Sequence, residues 1–242
     1  MEKYNVAIIG AGQLGSRHLQ GLKRASLPLS ITVLDSSQDS LKIAQERYEA
    51  VSAIGEKCVK FSKDINQLPS EVDLVIVATG SKPRAAIVKS LLNVSKVKNL
   101  VLEKVLFPRL LDYEEISILL KENNVNTWVN CPRRMLGSYQ QILQLIDRSK
   151  PIMMKKGGEN WGLCCNGIHF VDIFMYLTGE EDFSVDTSKL NIEIVESKRP
   201  GYIEMTGELT IITSNGNKLT LVSENNYSGD NRIKTPWWKT CM

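Results

Sequence analysis

Apolar and polar positions alternate along the first half of the chain in two periods, one for strands and one for helices. Residues 4–9 (Tyr-Asn-Val-Ala-Ile-Ile) are a short β-rich run that stops at Gly10, the pattern of a buried strand. Leu14, Leu19 and Leu22 then recur at helical spacing between Gln13 and about Ser26, and Pro28 closes that helix. Residues 31–34 predict a second strand ending at Asp35, and residues 38–50 a helix capped by Ser36 or Ser37. A short strand is expected at 59–61. The near-continuous apolar run at 72–78 predicts a strand buried on both faces. A helix at 83–93, a strand at 99–103, a helix at 109–122 and a strand at 126–130 follow. Strands alternating with helices predict a parallel, doubly wound sheet.

After about residue 130 the grammar changes. A helix at 137–149 leads to a strand starting at Ile152, then to a glycine-rich stretch at 157–162. Residues 165–178 predict a helix with Ile168, Val171, Phe174 and Met175 facing the core. Strand-like runs at 189–196, 204–213 and 218–224 follow, the last two joined by a hairpin turn at 214–217. The expected fold is therefore α/β: a Rossmann-type sheet over residues 1–125, then a smaller α+β domain with an antiparallel sheet over residues 126–242.

Composition narrows the function classes. Residues 1–125 hold 17 basic and 14 acidic residues, and residues 126–242 hold 13 of each. Neither half is the basic footprint of a nucleic-acid binder. No apolar run approaches the ~20 residues that span a bilayer, and the start has no leader pattern. The five cysteines (Cys58, Cys131, Cys164, Cys165, Cys241) have neither disulfide nor zinc spacing, so mostly buried thiols and a cytoplasmic location are expected. Cys164, Cys165 and His169 lie close in sequence, but adjacent cysteines are a poor zinc set, and no metal is expected.

Gly10-Ala-Gly12-Gln13-Leu14-Gly15 is a GxGxxG loop with a strand before it, a helix after it, and Asp35 20 residues beyond Gly15. Gly10 suits the tight turn, Gly12 lets backbone approach a pyrophosphate, and Gly15 allows helix and strand to pack closely. N–H groups at the helix start would then face the phosphates. Asp35 would accept from the ribose hydroxyls and repel a 2′-phosphate, which favours NAD, while Ser36 and Ser37 leave NADP open. The plainer alternative is a glycine-rich turn that binds nothing. Ala78-Thr79-Gly80 ends the central strand, where its backbone either lines the nicotinamide side or simply caps the next helix.

With Glu103-Lys104 at the next strand end, the chain resembles the glucose–fructose oxidoreductase / inositol dehydrogenase / MocA family. Asn130-Cys-Pro-Arg-Arg134 resembles the segment that opens that family's second domain. Gly162-Leu-Cys-Cys-Asn-Gly-Ile-His169-Phe-Val-Asp172 resembles its Gly…Asp-x-Gly-x-His-x-x-Asp helix start. The resemblance implies an NAD(P)-dependent oxidoreductase of a sugar, cyclitol or related compound. Lys104 and His169 are then its catalytic residues. Gly10, Gly12, Gln13, Leu14, Gly15, Asp35, Ala78, Thr79, Glu103 and Lys104 are then its cofactor contacts. Arg133, Arg134, Trp161 and Asn166 become candidates for the substrate wall, Arg134 suggesting a carboxylate or phosphate or else standing as a solvated or domain-bridging arginine. His18 is expected to be structural, near the phosphate loop.

Three positions depart from the pattern. Cys165 and its neighbour Asn166 stand where the family's aspartate is usual, four residues before the histidine. Val105 replaces the proline after Glu-Lys, and a cis peptide is not expected there. Arg84 stands near a customary histidine. The chain also reads as short at its C-terminus, with Trp237 and Trp238 near the end; a homo-oligomer through the C-terminal sheet is expected. These departures keep a second possibility open: a non-catalytic, dinucleotide-binding regulator or degenerate family member.

Overall fold

The computed structural model describes residues 3–197, 201–229 and 231–234. The expectation attached to Trp237 and Trp238 lies outside these residues. The chain divides into two compact units, the first ending at Asn130 and the second beginning at Cys131.

The first unit is a six-stranded parallel sheet: β1 (Tyr4–Ile9), β2 (Leu29–Leu34), β3 (Lys57–Ser62), β4 (Glu71–Val77), β5 (Lys96–Glu103) and β6 (Asn126–Asn130), in the order β3-β2-β1-β4-β5-β6. Because β6 pairs with β5, this unit closes at Asn130 rather than at 125. Helices α1 (Gln13–Lys23), α2 (Gln38–Glu49), α3 (Ser81–Val94) and α4 (Leu110–Glu122) cover the sheet. The period-two alternation of β1 divides the core. Val6 and Ile8 join Leu19, Leu41 and Ala44 of α1 and α2, whereas Ala7 and Ile9 join Val88, Leu91 and Ile116 of α3 and α4. Leu14, unlike Leu19, lies outside the core: it is 48% exposed in the first turn of α1.

The second unit holds α5 (Gly137–Leu145), β7 (Met153–Gly158), α6 (Leu163–Thr178), β8 (Phe183–Glu196), β9 (Ile203–Thr213), β10 (Lys218–Ser223) and β11 (Arg232–Lys234). Its sheet runs β11-β7-β10-β9-β8. The β7–β10 pair is parallel in an otherwise antiparallel sheet. Local patterning cannot reveal that pairing, since α6 and two strands intervene. The buried stripe of α6 is Leu163, Gly167, Phe170, Ile173, Phe174 and Leu177, against Met154, Ile211, Leu219 and Leu221 of the sheet. This stripe is rotated from the expected one: Ile168 is 37% exposed, and only Phe174 of the expected four is fully buried. α6 is apolar nearly all round, so periodicity leaves its phase undetermined.

Among the described residues no helix is long and apolar enough to cross a membrane. The cysteines are less buried than expected. Cys131 is buried, but Cys58, on the outermost strand β3, and Cys164, in the first turn of α6, are exposed.

Candidate functional site

Strands β1 and β4 are neighbours in the sheet, although β2 and β3 separate them in the chain. The connections leave these two strands on opposite faces, which opens a crevice at their carboxyl ends. The glycine loop stands at this point. Gly10 has φ +100°, and a Cβ there would lie 2.9 Å from the Ala78 carbonyl carbon and from Thr79 Cγ2. A Cβ on Gly15 would lie 1.7 Å from the Gly10 oxygen. Over Gly12, by contrast, a Cβ would meet nothing within 4 Å. Two glycines are therefore required by internal packing, while the third faces open space.

Helix α1 begins immediately after this space. Gly12 is its N-cap, no side chain caps it, and its first turn carries no acid. Its first N–H groups and its dipole are thus available to an anion. Asp35 lies beside them at the end of β2, with Oδ2 accepting from Ala11 N at 2.7 Å and Oδ1 from Ser37 N at 2.8 Å. A carboxylate has about four acceptor positions, so both oxygens retain capacity toward a ribose. The Ser37 hydroxyl is occupied at the start of α2, accepting from Ser40 N at 3.2 Å. At the end of β4, Thr79 Oγ1 is buried and has no hydrogen-bond partner among the described residues. An open glycine turn, an uncapped helix start, a strand-end carboxylate and an orphaned hydroxyl fit a dinucleotide with its phosphates on the loop.

The next two strand ends are tied together. Glu103 is buried at the end of β5, and its Oε1 lies 2.9 Å from His18 Nε2 and accepts from Asn130 Nδ2 at 2.6 Å. Burial alone would raise its pKa. The His18 and Asn130 hydrogen bonds, with the charges of His18 and Arg84, outweigh burial and hold the carboxyl below its ordinary value. Glu103, expected as a cofactor contact, thus directs its carboxylate at protein groups that join α1, β5 and β6.

Lys104 follows directly and is half-buried. The Lys104–Val105 peptide is cis, contrary to the expectation from the loss of proline. The neighbouring backbone is held from outside the loop: Arg84 donates to the carbonyls of Val105 and Thr79, and to Leu106 O at 2.7 Å. Arg84 is only 1% exposed. It joins the chain after β4 to the loop carrying Lys104 and has no surface role. Its signal was present in the pattern, because positions 84, 88 and 91 share the buried face of α3.

In the second unit the residues expected at a substrate wall are largely engaged internally. Trp161 Nε1 donates to Val222 O at 2.7 Å, and Asn166 Nδ2 to Trp161 O at 2.8 Å. Arg134 grips Asp172 through Nε at 3.1 Å and through a second, shorter contact from its terminal nitrogen. That pairing keeps its guanidinium protonated and makes it a strut between the 3-10 turn Pro132–Met135 and α6, not an open anion contact. His169 is half-buried on α6.

The start of α6 has an unforeseen partner. Gly162 caps it at φ +80° with no side chain of its own, and Glu204 of β9 supplies the missing acceptor. The Glu204 oxygens accept from Cys164 N at 2.8 Å and Cys165 N at 3.2 Å. Burial first, and the Glu204 charge after it, push the Cys164 thiol pKa up. No local motif could disclose Glu204, since its partners lie some 40 residues away. Glu204→Gln leaves one acceptor oxygen and no charge at this helix end. The expected cost is about 1–2 kcal/mol, read as a lower denaturant midpoint at unchanged slope.

Compared with curated proteins, the chain matches none. Solved structures share its fold. Myo-inositol dehydrogenase from Lactobacillus casei, solved in complex with NAD(H) and myo-inositol, superposes with a TM-score of 0.69 at 18% identity, over 97% of this chain and 71% of that one. For myo-inositol 2-dehydrogenase from Lactobacillus plantarum the TM-score is 0.70 at 18% identity, over 97% and 74%. For UDP-N-acetylglucosamine 3-dehydrogenase from Acidithiobacillus ferrooxidans it is 0.70 at 16% identity, over 99% and 72%. The family model described as an oxidoreductase family with an NAD-binding Rossmann fold matches residues 4–131, the glycine loop, Asp35, Glu103 and Lys104 included. On that match over more than half its length, the chain belongs to the glucose–fructose oxidoreductase / inositol dehydrogenase / MocA family of oxidoreductases.

Proposed function

We propose that the protein is an NAD-dependent dehydrogenase or reductase acting on a CH–OH group of a sugar, cyclitol or sugar derivative. The observation that carries this reading is the glycine turn between β1 and β4, open over Gly12 and flanked by the Asp35 carboxylate. Gly10, Gly12, Gln13, Leu14 and Gly15 would hold the pyrophosphate. Asp35 would hold the adenosine ribose, and the backbone at Ala78 and Thr79 would line the nicotinamide side. Bound there, the dinucleotide supplies a hydride acceptor or donor. The chain's own groups manage the proton and the charge. The Lys104 ammonium stabilises negative charge on the substrate oxygen, and the His169 imidazole accepts or returns its proton.

The test pairs calorimetric titration of NAD and NADP with absorbance at the NADH band across a panel of sugars, cyclitols and nucleotide sugars. Tight NAD binding with turnover of a panel member is the expected result. Failure to bind either dinucleotide at millimolar levels overturns it. Binding without turnover favours the second reading, a non-catalytic dinucleotide-binding regulator, for which the thiol of Cys165 in place of a carboxylate speaks. Asp35→Asn removes the charge that repels a 2′-phosphate. It is expected to narrow the NAD-over-NADP preference about tenfold, the equivalent of ~1.4 kcal/mol. We further propose that copies associate through the C-terminal sheet, whose edge strand β8 leaves Ile192 97% and Ile194 57% exposed.

A further inference from the structure

Two cations of the second unit lie against aromatic rings without an acidic partner among the described residues. Arg133, in the turn Pro132–Met135, places its guanidinium carbon 4.3 Å from the Phe170 ring centroid. Lys156, on β7, places Nζ 5.5 Å from the Trp161 ring and 5.9 Å from the same Phe170 ring. The two rings meet edge to face at 5.4 Å, Trp161 half-buried and Phe170 buried beneath it. Both cations are half-buried. Lys156 donates to its neighbour's carbonyl, Gly157 O, at 2.7 Å. Among the described residues, neither cation makes an ion pair with a carboxylate.

The contrast with the next residue is informative. Arg134 is closed by Asp172, whereas Arg133, one position away, meets a ring and a second cation and has no carboxylate partner among the described residues. Burial, and after it the Arg133 charge, lower the Lys156 pKa, as expected for like charges sharing a partly desolvated place. Aromatic faces offset part of that repulsion, and they supply no acceptor oxygen to the guanidinium or the ammonium. An arginine fork beside an ammonium point charge is the chemistry that grips phosphate or carboxylate oxygens. Phe170 directly follows His169, the proposed acid–base group, in the second turn of α6.

We propose that Arg133 and Lys156 bind an anionic group of the substrate, a phosphate or a carboxylate carried on a sugar-like body, with the Trp161 ring walling its apolar side. This rests on the reading of His169 as the group that meets the substrate. It moves the anion contact from Arg134, where the sequence suggested it, to the unneutralised pair.

The test is titration of the full chain with inorganic phosphate and, separately, with acetate, followed by NMR at the Trp161 indole N–H. That resonance is identified by its loss in Trp161→Phe. One or both anions are expected to shift it with a Kd in the millimolar range, and Arg133→Gln/Lys156→Gln to weaken binding about tenfold or more. Stronger phosphate binding assigns a phosphorylated substrate, and stronger acetate binding a sugar acid. No shift up to about 100 mM, or an equal shift in the double variant, overturns the proposal. The anion titrations contain no dinucleotide, and NAD affinity is measured on the same samples by calorimetry. A double variant that keeps NAD affinity while losing the anion is folded and supports the subsite. A wild-type chain that takes the anion but no NAD sinks the oxidoreductase reading instead.

Discussion

Lys104→Ala and His169→Ala are each expected to lower turnover by about a thousandfold while leaving NAD affinity within a few-fold. The two losses have different physical origins. Removing the ammonium leaves developing negative charge on the substrate oxygen without its compensating cation, so kcat falls at every pH. Removing the imidazole eliminates the group that takes or returns the proton, so the proton transfer falls to solvent. The glycine turn and Asp35 are untouched by either change, which is why coenzyme binding serves as the internal control. Steady-state kinetics on a panel substrate, with NAD calorimetry alongside, decides it. Near-wild-type turnover in either variant would remove that residue from the chemistry.

Arg84→Leu is expected to destabilise the first unit by about 3 kcal/mol, because it leaves the part-buried carbonyls of Thr79, Val105 and Leu106 without their shared donor. Equilibrium denaturation measures the loss. Arg17→Ala is the control, since Arg17 is exposed and makes only a short-range contact with Gln20. Arg84→Lys keeps the charge but cannot present a fork to three carbonyls, and it should recover only part of the stability.

The pH dependence has a definite sign. Glu103 is held below its ordinary carboxyl pKa in the folded chain, in part by the Arg84 charge. Its contribution is therefore present above the unfolded value of about 4.3 and is lost as pH falls through the lower folded value. Without Arg84 the folded value moves back up, so acid unfolding of the variant should begin at higher pH. An unchanged acid limb would show that the guanidinium acts only as a hydrogen-bond donor.

The order of elements in the first unit was legible because each of its signals is local. Val6, Ala7, Ile8 and Ile9 announce a strand buried on both faces, Gly10 ends it, and α1 follows within a few residues. The glycine loop is equally local, since Gly10, Gly12, Gly15 and Asp35 act through backbone geometry that neighbouring residues dictate. The second unit was read less well. Its α6 is apolar around most of its circumference, so the inward choice of Phe170 and Ile173 over Ile168 and Val171 depends on which side β7 and β10 present. The parallel β7–β10 pair joins residues more than 60 positions apart, beyond the reach of any hairpin signal.

The candidate site divides along the same line. Residue type and spacing picked out Asp35 and the glycines, the family resemblance added Lys104 and His169, and Arg134 was one candidate anion contact. Packing then closed Arg134 onto Asp172 and left Arg133 beside Lys156. It also buried Arg84 under the loop of Lys104 and brought Glu204 to the uncapped end of α6. The sequence by itself determined the succession of strands and helices and the turn suited to a dinucleotide, because those follow from short-range sterics and hydrophobic period. Which charges are neutralised and which stay open was decided mainly in the tertiary structure, because partners as distant as His18 and Glu103 are set by how the sheets pair and on which face each helix lands.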